Sequence, residues 1–210
     1  SSQTLIRAGN HLMGYLADRN FPVTRPVVPG KHGTIFRLED ANGRVFFASV
    51  YEQAPGEVLP DEDEIHLPAR ELKLLIERWG RLAGSFHRLC EDYPARYRRS
   101  FPHWSDEDLI WQAHRYLPAG QETVLKRIAS LRARFDQFEV RRTNFGLVHG
   151  DLHHGNFSIG PQGGLCLFDF DSCMVTWHML DIACPLYYAL PYPRSRVEER
   201  ASFAPFFLDH

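Results

Sequence analysis

Between Pro68 and Cys90 the residues Leu72, Leu75, Ile76, Trp79, Leu82, Ala83, Phe86 and Leu89 recur every three or four positions. A helix with one unbroken apolar stripe over five turns cannot stand alone in water; a second layer must cover it. Pro68 suits the first turn of that helix, where a missing N–H costs nothing. Candidate cover lies on both sides. Residues 3–18 place Leu5, Leu12, Met13 and Leu16 at helical spacing. Residues 120–138 do the same with Val124, Ile128, Leu131 and Phe135. The stretch 105–117 opens with Ser105 as an N-cap and acidic residues in the first turn, which predicts another helix. Two more are predicted near 178–190 and 195–208.

Other segments read as extended chain. In "FPVTRPVV", residues 21–28, each proline pushes its predecessor out of the helical region. In 33–52 two β-rich runs flank Asn42-Gly43, predicting a hairpin with a tight positive-φ turn. "NFSIG", "PQGG" and "LCLFDFD", residues 156–171, predict a second hairpin. The break "QAPGEVLP" at 53–60 divides the chain into 1–52, a connecting stretch 53–66, and 67–210. The acidic run 61–64 reads as a solvated loop, or as a contact for a cationic substrate.

Composition narrows the function. The chain has 210 residues and a net charge of −2, with no basic block, so the electrostatic footprint of a nucleic-acid binder is absent. No apolar run approaches the roughly 18–20 residues that span a bilayer, and no signal peptide is recognisable. Cys90, Cys166, Cys173 and Cys184 form no CxxC pair, which reads as reduced packing residues in a cytoplasmic protein. Trp79, Trp104, Trp111 and Trp177 read as packing residues, and His87, on the apolar stripe, as a hydrogen-bonded core histidine.

The chemistry concentrates in "LVHGDLHHGNF", residues 147–157. Three explanations compete. A phosphoryl-transfer loop needs a carboxylate to orient and deprotonate an acceptor hydroxyl, and hard oxygen ligands for a divalent cation on the phosphates. Asp151, Asn156 five residues later, and Asp169 at the end of a β run supply those groups in order, with Asp171 beside them. Gly150 and Gly155 allow a tight loop. A metal hydrolase would instead draw on His149, His153 and His154, but no upstream Asp-x-His appears before residue 149. An ordinary polar turn would need only Asx chemistry at Asp151, with His153 and His154 as loop residues.

"HGDLHHGN", "LFDFD" and "WHMLDIA", in that order, resemble the aminoglycoside phosphotransferase/choline kinase family. "VFFASVYEQAPG" resembles the family's interlobe hinge, and "WGRLAGSFHRL" its first large-lobe helix. The resemblance implies an α+β, protein-kinase-like fold in two lobes: a reduced small lobe (1–52), a hinge and acidic loop (53–66), and a mainly helical large lobe (67–210). It implies transfer of the γ-phosphate of ATP or GTP to a hydroxyl of a small-molecule substrate, without nucleic-acid or membrane partners; a cationic acceptor is one alternative, tied to the acidic run 61–64, and the sequence does not name the acceptor itself. Asp151 would be the catalytic base, and Asn156 and Asp169 the Mg²⁺ ligands, with Asp171 near a second ion. Backbone groups of Tyr51, Glu52 and Gln53 would receive the adenine. His149 and Asp181 would brace the loop.

The sequence also departs from that family. Its three lysines, Lys31, Lys73 and Lys126, include none in a β run ahead of the first helix, where the family's phosphate-gripping lysine lies. Gly9 falls where that helix would carry a glutamate. The family's opening hairpins and closing helices are missing from the chain. The expectation is a portion of a longer kinase, the alternative a catalytically silent pseudokinase serving as a binding module.

Overall fold

The computed structural model describes residues 2–28, 33–59 and 67–189. Helix α1 (Ser2–Ala17) leads into an extended segment, then strands β1 (Phe36–Glu39) and β2 (Val45–Ala48), which pair antiparallel. Their connection is wider than the two-residue turn expected at Asn42-Gly43. Asp40 Oδ1 accepts from the backbone N–H of Asn42 and of Arg44, each at 2.9 Å, and only Gly43 takes a positive φ, 77°. The aspartate side chain captures the turn's donors, so the loop closes one residue earlier than sequence spacing suggests.

Helix α2 (Ala69–Glu91) is the expected centre of the core, with Pro68 at its N-cap rather than inside its first turn. Leu75, Ile76, Trp79, Leu82, Ala83 and Phe86 are buried along one face. Leu12 and Leu16 of α1 and Phe21 share the same core, and the Phe21 and Phe86 rings lie 6.0 Å apart. Each large apolar side chain so buried contributes about 1.5–3 kcal/mol.

The segment after α2 is irregular. It holds the single turn α3 (Ala95–Arg98), the single turn α4 (Asp108–Trp111) and the longer α5 (Glu122–Phe135). The one helix expected over 105–117 is thus broken into α4 and two flanking 3₁₀ turns, Trp104–Asp106 and Ala113–Arg115. The cap is His103, not Ser105: its ring accepts from the Ser105 N–H at 3.3 Å while Asp106 Oδ2 accepts from the His103 N–H. Aromatic packing explains the break. Trp104 packs against Trp177 at 5.0 Å and Phe135 at 5.7 Å, and Trp111 Nε1 donates to the Trp104 carbonyl at 2.6 Å. A regular helix could not satisfy those contacts together.

Strands β3 (Glu57–Val58), β4 (Phe145–Val148), β5 (Phe157–Ile159), β6 (Leu165–Leu167) and β7 (Met174–Trp177), with helix α6 (Leu180–Ala189), frame the loop of interest. β5 and β6 form the expected second hairpin, with Phe157 opposite Leu167. β3, inside the stretch read as a connector, adds to its edge in the order β3-β5-β6. β4 pairs antiparallel with β7. Leu167 also exchanges backbone hydrogen bonds with Pro22 and Thr24, which ties the extended segment after α1 to β6. Phe157 meets Trp79 edge-on at 5.0 Å, so the hairpin covers the stripe of α2.

All four cysteines are free. No helix among the described residues is long and apolar enough to cross a membrane. The acidic run 61–64, Lys31 and the helix expected near 195–208 lie outside the described residues.

Candidate active site

β4 ends at the fully buried Val148, and the chain then turns through residues 149–156 before entering β5. The turn is fixed from α6. Asp181, 1% exposed, accepts from the backbone N–H of His149 at 2.9 Å and of Gly150 at 2.8 Å. A third donor, His87 Nε2 of α2, reaches the same carboxylate at 2.8 Å. Burial pushes the Asp181 carboxyl up, but His87, His149 and the Gly150 N–H together outweigh it and hold it below the usual range. Gly150 has φ 84°, and a Cβ there would run into the Ser172 carbonyl oxygen, so the loop and the 169–173 turn touch backbone to backbone.

The His149 ring is fully buried, and burial lowers its pKa, so it stays neutral. Its Nε2–H donates to the Phe168 carbonyl at 3.0 Å. Nδ1 finds no hydrogen-bond partner among the described residues, which leaves an unpaired acceptor rather than the costlier stranded donor. The ring thereby links the start of the loop to the residue just before Asp169.

Within the loop, the Asn156 side chain folds back onto Asp151. Its Nδ2 donates to the Asp151 carbonyl at 2.7 Å and to Asp151 Oδ2 at 3.1 Å. Both amide hydrogens are used there, and Asn156 Oδ1 receives no hydrogen bond from the described residues. The Asn156 carbonyl accepts from the Phe168 N–H at 3.0 Å, which places the backbone of Asn156 beside the residue preceding Asp169. Asp169 is exposed, has φ 63°, and forms no ion pair among the described residues. Asp171 is exposed too, and its carboxyl is raised by burial and by the neighbouring Asp169 charge. An amide oxygen that accepts no hydrogen bond from the described residues, on a residue whose backbone adjoins the stretch leading to two acids, supplies oxygen ligands of the kind that suit a hard divalent ion.

A cavity of about 590 Å³ opens beside these acids, lined by Ile6, Met13, Tyr51, Gln53, Asp169 and Asp171 among others. Its far wall is the segment 49–54. The Tyr51 hydroxyl donates to Asn10 Oδ1 of α1 at 2.9 Å, and the Glu52 N–H donates to the Arg25 carbonyl at 2.8 Å. Ser158 of β5 donates to the Pro55 carbonyl at 2.7 Å, anchoring the connector. The structure therefore brings Tyr51, Glu52 and Gln53 to the same cavity as Asp169 and Asp171, and sets Asp151 with Asn156 in the adjoining loop.

The histidines do not converge. His149 turns to Phe168, while His153 accepts the Gly155 N–H on Nδ1 and stacks on Tyr188; among the described residues no three His, Cys, Asp or Glu could hold one metal ion. Two partners were not foreseen. His87 is hydrogen-bonded as expected, but its partner, the Asp181 carboxylate, was not named by the sequence, and Cys184 lies 3.8 Å from Asp151 Oδ1. The signal for both was present: a polar residue on an apolar stripe, and a cysteine three residues after Asp181 on one helix face.

The family model described as "Phosphotransferase enzyme family" (APH) matches residues 2–204. The chain belongs to the APH phosphotransferase family. Among curated APH relatives, amicoumacin kinase of Bacillus subtilis (strain 168) is 31% identical over 219 residues, spanning 100% of this chain and 62% of that protein. An uncharacterized protein, sll1119, of Synechocystis sp. (strain ATCC 27184 / PCC 6803 / Kazusa) is 24% identical over 82% of this chain and 46% of its own length. Among solved structures, amicoumacin kinase hAmiN in complex with AMP-PNP, Ca²⁺ and Ami superposes with a TM-score of 0.81 at 29% identity. That match covers 98% of this chain and 60% of the other. The microcompartment-associated aminopropanol kinase gives 0.67 at 19% identity, over 98% of this chain and 70% of its own, a likeness of fold. The fold is that of the protein-kinase-like APH enzymes, and this chain spans less than two thirds of the curated relatives named here.

Proposed function

We propose that the chain carries the catalytic part of a small-molecule kinase that transfers the γ-phosphate of ATP to a substrate hydroxyl. The observation that supports this most is the Asn156 amide: its two N–H bonds hold Asp151, its oxygen accepts no hydrogen bond from the described residues, and its backbone carbonyl is bonded to the N–H of Phe168, the residue before Asp169. Asp151 orients the acceptor hydroxyl and takes its proton. Asn156 Oδ1 and Asp169 hold Mg²⁺, with Asp171 beside them. When bound, the ion neutralises charge on the phosphates during transfer. The backbone of Tyr51–Gln53 receives the adenine edge, and His149 and Asp181 keep the loop in place. Residues 1–52 form the nucleotide-side lobe, 53–66 the hinge, and 67–210 the large lobe of a cytoplasmic protein. ATP is favoured over GTP by the ATP analogue in the hAmiN complex, and amicoumacin leads the acceptor screen because of the curated relative.

The test uses the full-length protein. Mg·ATP raises the melting temperature, as any ligand of the native state does, and Asp169→Ala abolishes that shift. Asp151→Asn keeps the shift but stops acceptor-dependent ADP release. A second reading, a silent binding module, draws on Gly9. Its backbone lies against Phe170, a Cβ there falling 3.7 Å from Phe170 Cβ, and it presents no acid toward the phosphates. No thermal shift at millimolar Mg·nucleotide, and no ADP release with any alcohol, would favour that module over the kinase.

A further inference from the structure

We propose that Cys184 and His153 are positioning residues for Asp151, and that their unequal grip leaves Oδ1 as the oxygen that takes the acceptor proton. The inference rests on Asp151 being the base. The two carboxylate oxygens have different surroundings. Oδ2 accepts from Asn156 Nδ2 at 3.1 Å, and His153 Nε2 stands 3.5 Å away. Among the described residues, Oδ1 meets only the Cys184 thiol, at 3.8 Å.

The His153 ring is held in one orientation. The Gly155 N–H donates to its Nδ1 at 3.0 Å, so Nδ1 presents its lone pair and the ring N–H faces Asp151 from Nε2. Tyr188 stacks on the ring at 4.5 Å and 28°. Gly155 leaves room for it, because a Cβ there would press on the ring at 2.6 Å. The stretch 147–157 therefore uses this histidine for more than loop geometry.

Cys184 supplies the weaker contact. Burial, with the charges of Asp151 and Asp181, pushes its thiol up to about 12, so the S–H is retained at neutral pH. A thiol is a poor donor, and a carboxylate oxygen has two lone-pair sites. Oδ1 is therefore steered yet keeps an open, less stabilised lone pair, while Oδ2 accepts the Asn156 Nδ2–H and has His153 Nε2 at 3.5 Å. In the transfer step the acceptor O–H bond breaks and its proton passes to Oδ1. The freed oxygen bonds to the γ-phosphorus as the bond from that phosphorus to the β–γ bridging oxygen breaks, and ADP leaves with that electron pair.

One helix face provides all of this. Asp181, Cys184 and Tyr188 fall at positions i, i+3 and i+7 of α6 and meet, in turn, the loop backbone, the carboxylate and the His153 ring.

Steady-state kinetics of the full-length protein, with the acceptor that gives ADP release, test the assignment. Cys184→Ala lowers kcat by about threefold to tenfold, and His153→Ala by about tenfold to a hundredfold, the scale of a misplaced catalytic group. KM for ATP and acceptor stays within about twofold, and so does binding of Mg·ATP. Cys184→Ser and His153→Gln, which restore a donor at Sγ and at Nε2, recover most of kcat. If Asp151→Asn is inactive while both alanine variants keep wild-type kcat, the positioning proposal fails and the base assignment stands. If Asp151→Asn retains activity, the base assignment itself fails. Should an alanine variant not fold, its donor-restoring partner is compared with Cys184→Val or His153→Leu; equal kcat in each pair also refutes the proposal.

Discussion

Replacing Asp181 by asparagine tests how the loop is held. The carboxylate accepts from the His149 N–H and His87 Nε2 on Oδ2, and from the Gly150 N–H on Oδ1. An amide keeps the shape and one acceptor oxygen but sets its NH₂ against at least one of these donors. A hydrogen bond to a charged group is worth about 1.5–3 kcal/mol, and a stranded buried donor costs about 1–3 kcal/mol. Removing the buried charge also removes its desolvation penalty, which offsets part of the loss. The net destabilisation is about 2–4 kcal/mol, near the lower end of the range for a buried pair stripped of one partner. At about 2–4 °C per kcal/mol for a protein of this size, the melting temperature falls by about 4–16 °C. Urea unfolding of the full-length protein measures the change, and amide exchange reads the loop directly: protection at residues 149 and 150 drops first. The effect depends on pH in a defined sense. The Asp181 carboxyl is held low in the folded protein, so its contribution is complete above about pH 3.9 and is lost as pH falls through the folded value. The gap between the two proteins therefore closes in acid. A loss under about 1 kcal/mol at neutral pH, within the ordinary value of one neutral hydrogen bond, with unchanged exchange at 149 and 150, would refute the bracing.

Three other perturbations have defined outcomes. Gly9→Ala adds only an ordinary contact with Phe170 inside α1, so it raises stability by about 0.5–1 kcal/mol, measured by urea unfolding. Asn10→Leu leaves the Tyr51 hydroxyl, on an exposed residue, without its protein acceptor and destabilises by about 0.5–1.5 kcal/mol; a melting temperature equal to wild type would show the contact to be idle. Burial and the nearby His87 lower His178 to about 4. The unfolded chain therefore binds the extra proton below about pH 6.5, and stability falls as pH drops from 6.5 towards 4. After allowance for the solvent around this half-exposed ring the loss is about 1–2 kcal/mol. His178→Gln flattens that limb of the stability–pH curve.

Periodicity made α1, α2 and α5 legible in the sequence, because each needs one face covered and carries the spacing that does it. The β5–β6 hairpin was legible from its turn residues, and the spacing of Asp151, Asn156 and Asp169 is what marked the loop and the end of β6 as the candidate site. What escaped was set by contacts between distant residues. The helix expected over 105–117 gave way to an aromatic cluster whose members, Trp104, Phe135 and Trp177, are far apart in sequence. The turn after β1 holds Gly43 at the expected positive φ, but the Asp40 side chain closes it over a wider loop than the spacing suggested. His87, Cys184 and His153 were visible as residue types, but their shared targets, Asp181 and Asp151, became apparent only once α2 and α6 were packed on the loop.

The direct touch between Gly150 and the Ser172 carbonyl has a consequence for redesign. Two stretches of main chain lie there without a cushion of side chains, so neither can be resculpted while its neighbour stays put. Redesigning residues 149–156 means carrying 169–173 along as one indivisible cassette, with position 150 closed to every other amino acid.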